Sequence, residues 1–358
     1  MNPPFLVDQG PLPWILNYSG AGPPLRIVIE HFALPPHTPS GLLAADHWDL
    51  LSTRVPGDLI EAASWRRLEQ AIRLIPSPAF LLERTLESPR VIQFGTHIWP
   101  WRMDRLLAQE TEHPYSRFLT MHARALQTMR QAGLGHTHFA AMWDEPDGDE
   151  PPAPQAFVLV EPGPRGRTAL RTLAGLLDDA ALSEAWARCA ETSYANVTGF
   201  GVYRGARELP VRATIPVDAN RFVPEHPNWP AVDRMVAHLR GLRANVAIPP
   251  TGEPGLTWHV LSIASHVSRP QEALAPLIGA LVEEGLLTPE AATALLRPPM
   301  LIPIRQPAIL GDEPALLQLL VSLERIKIVV KNGQWVSAKA CIAVRPVWRT
   351  ATRVWIEE

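Results

Sequence analysis

The segment from Glu324 to Ile342 constrains the fold of this chain more than any other. β-Branched residues fill both of its arms, and Asn332-Gly333 lies between them, which together signal a β-hairpin. Arg325 and Lys327 alternate with Ile326 and Ile328 in the first arm, so one face is charged and the other apolar. The turn decides what the charge means. A two-residue loop sets Arg325 opposite Ala340 and Lys327 opposite Ala338, with Lys339 on the other face. A three-residue loop, Lys331 to Gly333, sets Arg325 opposite Lys339 and Lys327 opposite Ser337, and gathers three cations on one face. Arginine would offer a phosphate a two-pronged fork and lysine a point charge. The plainer reading is a solvated edge strand whose lysines discourage pairing with other chains.

Hairpins of this kind recur upstream. Residues 1–24 are Pro/Gly-rich and read as irregular, and residues 33–57 as turns. Strand patterns cover 25–32, 91–101, 138–144, 156–161, 197–203, 210–216 and 256–267, with Pro100 arguing against a central position for the second. Helical spacing covers 59–75, 115–131, 168–192, 230–242 and 270–284, and residues 316–323 read as a short helix. Thr288-Pro289-Glu290 opens one more helix, with Thr as N-cap and Pro in the first turn. The C-terminal two-thirds thus repeats hairpin-then-helix without any sequence repeat. That pattern argues against a Rossmann sheet and for an antiparallel sheet with helices on one side. The expected class is α+β, one domain over residues 1–358, with the sheet closed or nearly closed into a β-barrel ringed by helices. Closure would remove the sheet's edges. An α+β protein with no barrel, in which the basic hairpin is only an edge, is the other architecture these patterns allow.

A net charge of -3 gives no electrostatic argument for nucleic acid or for an anionic membrane. Cys189 and Cys341 do not make a disulfide framework, which fits a cytoplasmic protein. The first residues lack the basic and apolar regions of a signal peptide, and no apolar run is long enough to span a bilayer. The 12 tryptophans imply wide apolar surfaces in the core or in a pocket.

Arg212 and Thr214 alternate with Val211, Ala213 and Ile215, and Tyr203 ends the partner arm, so Arg212 and Tyr203 are anion or ring contacts if their side faces a cavity. Half-exposure of that hairpin is the competing reading. The loop from Asp144 to Glu150 clusters hard oxygen ligands that suit Mg²⁺, without EF-hand spacing; simple solvation explains it equally. Gly163-Pro164-Arg165-Gly166-Arg167-Thr168 precedes a helix but lacks the P-loop ending and reads as a basic surface turn. His97, His136, His138, His259 and His266 form no zinc motif. Both cysteines sit inside regular elements, where packing is the expected role.

Arg325-Ile326-Lys327-Ile328-Val329 resembles the Arg-x-Lys-x-Tyr strand pattern of ABBA-type aromatic prenyltransferases, including their indole branch. Arg212-Ala213-Thr214 resembles their Lys-x-Tyr pattern, with Val329 and Thr214 standing at the tyrosine places. The resemblance extends as a rhythm over residues 138–346. It implies a barrel of α-β-β-α units holding a prenyl diphosphate, with transfer of the isoprenoid to an aromatic or peptide acceptor. Arg212, Arg325, Lys327 and Lys339 would neutralise the diphosphate, and Tyr203, Trp258 and Trp143 would line the allyl cation. Asp144 or Glu145 would take the acceptor's proton. No tightly bound cofactor is implied, Mg²⁺ aside. The alternative is a non-catalytic peptide- or ligand-binding accessory of a biosynthetic pathway.

Overall fold

The computed structural model describes residues 13–15, 26–28, 44–73, 79–98, 107, 114–132, 138–144, 153–160, 163–191, 199–203, 211–216, 229–238, 244–248, 261–266, 274–297, 299–310, 313–331, 333–349 and 354–356. They form an α+β structure in which all sheet pairings are antiparallel. A small pair joins β1 (Pro13–Ile15), in the stretch that reads as irregular, to β2 (Arg26–Val28), inside the strand expected over 25–32. The main sheet contains β3 (Phe80–Thr85), β4 (Val91–Ile98), β5 (His138–Asp144), β6 (Ala153–Leu159), β7 (Gly199–Tyr203), β8 (Val211–Pro216), β9 (Ala244–Ile248), β10 (Leu261–His266), β11 (Met300–Leu310), β12 (Glu313–Lys331), β13 (Gln334–Arg349) and β14 (Val354–Ile356). The helices are α1 (Trp48–Arg54), α2 (Ala62–Arg73), α3 (Pro114–Gln131), α4 (Pro164–Gly175), α5 (Ala180–Glu191), α6 (Trp229–His238), α7 (Ala275–Glu283) and α8 (Pro289–Leu295).

Neighbouring strands from β3 to β10 pair in chain order. β12 and β13 then pair with each other along most of their length; β10 adds beside the second half of β12, and β3 beside the middle of β13. β11 and β14 flank the other half of the same hairpin.

The helix expected over 316–323 is instead the first half of β12. Leu316 to Leu323 are fair helix formers, but β11 occupies one edge of this stretch and β13 the other, so its backbone groups are satisfied across strands. Tertiary pairing here overrides local propensity. The helix expected over 168–192 is two helices. α4 ends at Gly175, and Asp179 restarts the chain as an N-cap, its Oδ1 accepting from the Ala181 and Leu182 backbone N–H groups at 3.1 Å. Thr288 caps α8 as its sequence predicts, accepting from the Ala291 N–H at 3.2 Å.

The sheet has two unlike faces. Ile326, Ile328 and Val330 are fully buried, as are Ala340, Ile342 and Val344 of β13 and Phe80 and Leu82 of β3. This face meets the helices. α2 contributes Trp65, Leu68 and Ile72 at helical spacing, and a ring cluster forms where Trp48 meets Trp65 edge-on at 4.8 Å and Phe80 at 5.6 Å. The intervening positions, Arg325, Lys327 and Val329, are only partly covered.

One polar contact lies deep in the helical layer. His122 of α3 and Trp186 of α5 are both fully buried. His122 Nδ1 donates to the Phe118 carbonyl at 2.9 Å, and Nε2 accepts from Trp186 Nε1 at 3.2 Å, an arrangement that requires the neutral ring protonated on Nδ1. Burial pushes its pKa down from 6.5 to about 4.

Arg84 points the opposite way from its neighbour Glu83. It is buried on the helix side of β3 and donates to the carbonyls of Asp58 (2.7 Å), Leu59 (2.9 Å) and Thr85 (3.0 Å), fastening the turn after α1 to the sheet. Burial lowers its pKa. Arg84→Met keeps much of the packing volume but strands these carbonyls. It is expected to lower stability by about 2 kcal/mol, read from the urea midpoint at unchanged slope.

Candidate functional site

The β12–β13 hairpin is not a solvated edge. Its tip docks on α6, where Trp335 Nε1 donates to the Ala231 carbonyl at 3.1 Å and the Arg234 guanidinium stacks 4.4 Å above the Trp335 ring. Neither expected register is the observed one. Lys331 stands opposite Gln334, which gives the two-residue loop, and Gly333 takes a φ of 72°. The register then slips at Val336, which has no partner across the strand. Beyond that bulge Lys327 faces Lys339 and Arg325 faces Cys341. The bulge restores the parity that gathers the cations, through a device no turn rule anticipates.

Two further bulges flank the same spot. Glu324 is the extra residue where the register shifts between Leu323 and Arg325, and Ile92 is the extra residue on β4 just past Glu83. Bulges re-aim side chains, and here they surround one group of charges. Glu83, nearly buried, lies between two lysines: Lys327 Nζ binds its Oε2 and Lys339 Nζ is 3.3 Å from its Oε1. Lys327 also lies 3.4 Å from Gln93 Oε1. Glu324 lies between two arginines: Arg325 Nη2 is 2.8 Å from Oε1, and Arg345 binds Oε2. Four cations therefore share two carboxylates.

Burial opposes the charge on Lys327 and Arg325. The carboxylates outweigh it, Glu83 for Lys327 and Glu324 for Arg325, so both pKa values rise and both groups stay charged. Arg325 Nε is buried with no hydrogen-bond partner among the described residues. Cys341 Sγ sits 3.5 Å from Glu83 Oε2, and burial pushes its thiol up to about 12 despite Lys327 nearby, so it is a poor nucleophile. Cys189 is likewise buried and its pKa raised.

The residues singled out from sequence divide into three groups. Arg325, Lys327 and Lys339 come together. Arg212, Tyr203 and Asp144 hold register positions of the same parity. Asp144 pairs with Gln93, and Gln93 with Glu83; Arg212 pairs with Gly201 and Tyr203 with Gln155. His266 of β10 is the register partner of Arg325. Trp143 pairs with Phe94, on the opposite parity. Glu145, Trp258, His136, His259 and the rest of the acidic loop past Asp144 lie outside the described residues. In the basic turn, Pro164 opens α4 and Arg165 and Arg167 are exposed, away from this cluster. Among the described residues, no three His, Cys, Asp or Glu side chains are grouped to hold a metal, and no helix is long and apolar enough to cross a membrane.

Glu83, Gln93, Glu324 and Arg345 belong to the cluster but not to the sequence-based set. Phe-Leu-Leu-Glu-Arg-Thr gives Glu83 no strand alternation to advertise it, and Glu324 reads only as the start of the hairpin. The usable signal was the charge itself: a Glu-Arg pair occurs on both strands that border the cations, at Glu83-Arg84 and Glu324-Arg325.

No protein-family model and no curated protein matches the chain.

Proposed function

We propose that the main sheet closes on itself into a barrel, and that its interior binds a prenyl diphosphate and transfers the isoprenoid to an aromatic or peptide acceptor. The observation that carries this reading is the meeting of Arg325, Lys327, Lys339 and Arg345 on adjoining strands, on the face away from the helices. Closure is supported by the run of pairings from β10 through β3, which begins and ends on the two arms of one hairpin. Arg212 and Tyr203 hold register positions of the same parity as that row of cations.

The chemistry follows from charge. The allylic C–O bond breaks and its electron pair leaves with the diphosphate, whose added negative charge the cations stabilise. The acceptor forms its bond to the allylic carbon and loses a proton to a carboxylate. Asp144, in register with Gln93 and hence in the row that holds Glu83, fills that role. Mg²⁺ would add to the neutralisation of the diphosphate.

A second reading is a silent barrel that binds a ligand or peptide for a biosynthetic partner. Val329 favours it, since it stands where the resembling pattern has a tyrosine to shield the allyl cation. Isothermal titration with dimethylallyl and geranyl diphosphate, with and without Mg²⁺ and against inorganic diphosphate, separates the possibilities. Binding on the order of micromolar Kd that needs the prenyl chain supports the transferase. No binding to any of them removes the diphosphate site and leaves the silent binder.

A further inference from the structure

We infer that Glu83 and Glu324 are built-in occupants of a two-phosphoryl site, and that a phosphorylated ligand binds by displacing them. The inference rests on the diphosphate reading above and names how that site is held when empty. Each carboxylate sits between two cations from neighbouring strands, as a phosphoryl group would. The two positions follow one another along β12, since Arg325 and Lys327 are in-phase neighbours about 7 Å apart on the strand. Two linked phosphoryl groups lie closer together than that, and the long lysine and arginine side chains can close the gap, one group for the lysine pair and one for the arginine pair.

Hydrogen-bond supply points the same way. Among the described residues, the two ammonium and two guanidinium groups carry more donors than the two carboxylates and the Gln93 oxygen can accept. Arg325 Nε, buried without a partner among the described residues, is one donor left over. A diphosphate supplies the missing acceptors and more negative charge than either carboxylate. Arg345 and Lys339 are the more exposed member of each pair, at 24% and 31%, which leaves a route to both positions.

The test is titration of geranyl diphosphate, and of inorganic diphosphate beside it, into the wild-type chain, Glu324→Gln and Arg345→Met, with thermal melting to show that each is folded. Glutamine keeps the shape of Glu324 and removes the competing charge, so Glu324→Gln is expected to bind diphosphate about tenfold more tightly. Arg345→Met is expected to bind at least tenfold more weakly. Tightening should shrink as salt rises. Wild-type binding that Glu324→Gln leaves unchanged or weakens overturns the displacement while the diphosphate site stands. Absence of diphosphate and prenyl diphosphate binding in all three chains overturns both. Should Glu324→Gln melt before it can be titrated, Glu83→Gln asks the same question of the lysine pair, with the same expected tightening.

Discussion

Lys327→Ala is expected to destabilise the fold by about 4 kcal/mol, and Glu83→Gln in the same chain to recover most of that loss. Glu83 is 5% exposed and Lys327 17%, so the pair is shielded from water and its Coulomb attraction is little screened. Taking away Lys327 leaves a buried carboxylate with Lys339 at 3.3 Å as its remaining lysine. Halving the lysine compensation of a buried carboxylate, more than losing the contact itself, causes the damage. Neutralising Glu83 removes that charge while Gln keeps its volume. Urea denaturation of the two single variants and the double variant closes the cycle. Equal midpoints for wild type and Lys327→Ala would show that Glu83 does not depend on Lys327. The same logic governs any attempt to empty the site: removing cations alone confounds lost binding with lost stability, so the carboxylate must be neutralised with them.

The second large effect is a loss of stability in acid that traces to His122. Its folded pKa of about 4 lies below the ordinary value of 6.5, so between those limits the unfolded chain binds a proton that the native ring does not. A depressed histidine contributes stability that is complete above the unfolded value and disappears as pH falls from about 6.5 to about 4. The span amounts to roughly 3 kcal/mol. Burial is the cause, and the geometry acts in the same direction: a proton on Nε2 would turn the acceptor of the Trp186 N–H into a second donor facing it. Measured at pH 7 and pH 4.5, the stability of His122→Gln should change less than that of the wild type, by roughly 2 to 3 kcal/mol. Parallel declines in the two proteins would sink the assignment.

Much of the architecture was legible because hairpin signals are local. The arms from Val197 to Pro216 and the start of α8 at Thr288 follow from alternation and capping chemistry alone. What stayed hidden depends on partners far along the chain. β3 has strand formers only at its ends, Phe80 and Thr85, around a Leu-Leu-Glu-Arg middle that favours a helix, and becomes a strand because β4 and β13 bracket it. Leu316 to Leu323 are helix formers held extended in the same way. The site was half visible. Arg325, Lys327 and Lys339 announce themselves by alternation, whereas Glu83 joins them from 244 residues away in sequence, across a pairing no local pattern encodes. Even the parity of Lys339 depended on a bulge at Val336, whose side chain is exposed and gives no sequence cue.

The pairing of β3 with β13 also sets an order of events during synthesis. β3 is made long before its partner, and one of its edges has no mate until residues 339–344 have left the ribosome. Throughout that interval a row of free backbone donors and acceptors is presented to other chains. A ribosome that stalls or terminates before residue 339 releases a polypeptide whose helices and early hairpins can form but whose β3 edge stays open. For this protein, then, a C-terminal truncation removes the half-partner of its first main strand, and inclusion bodies are the expected product.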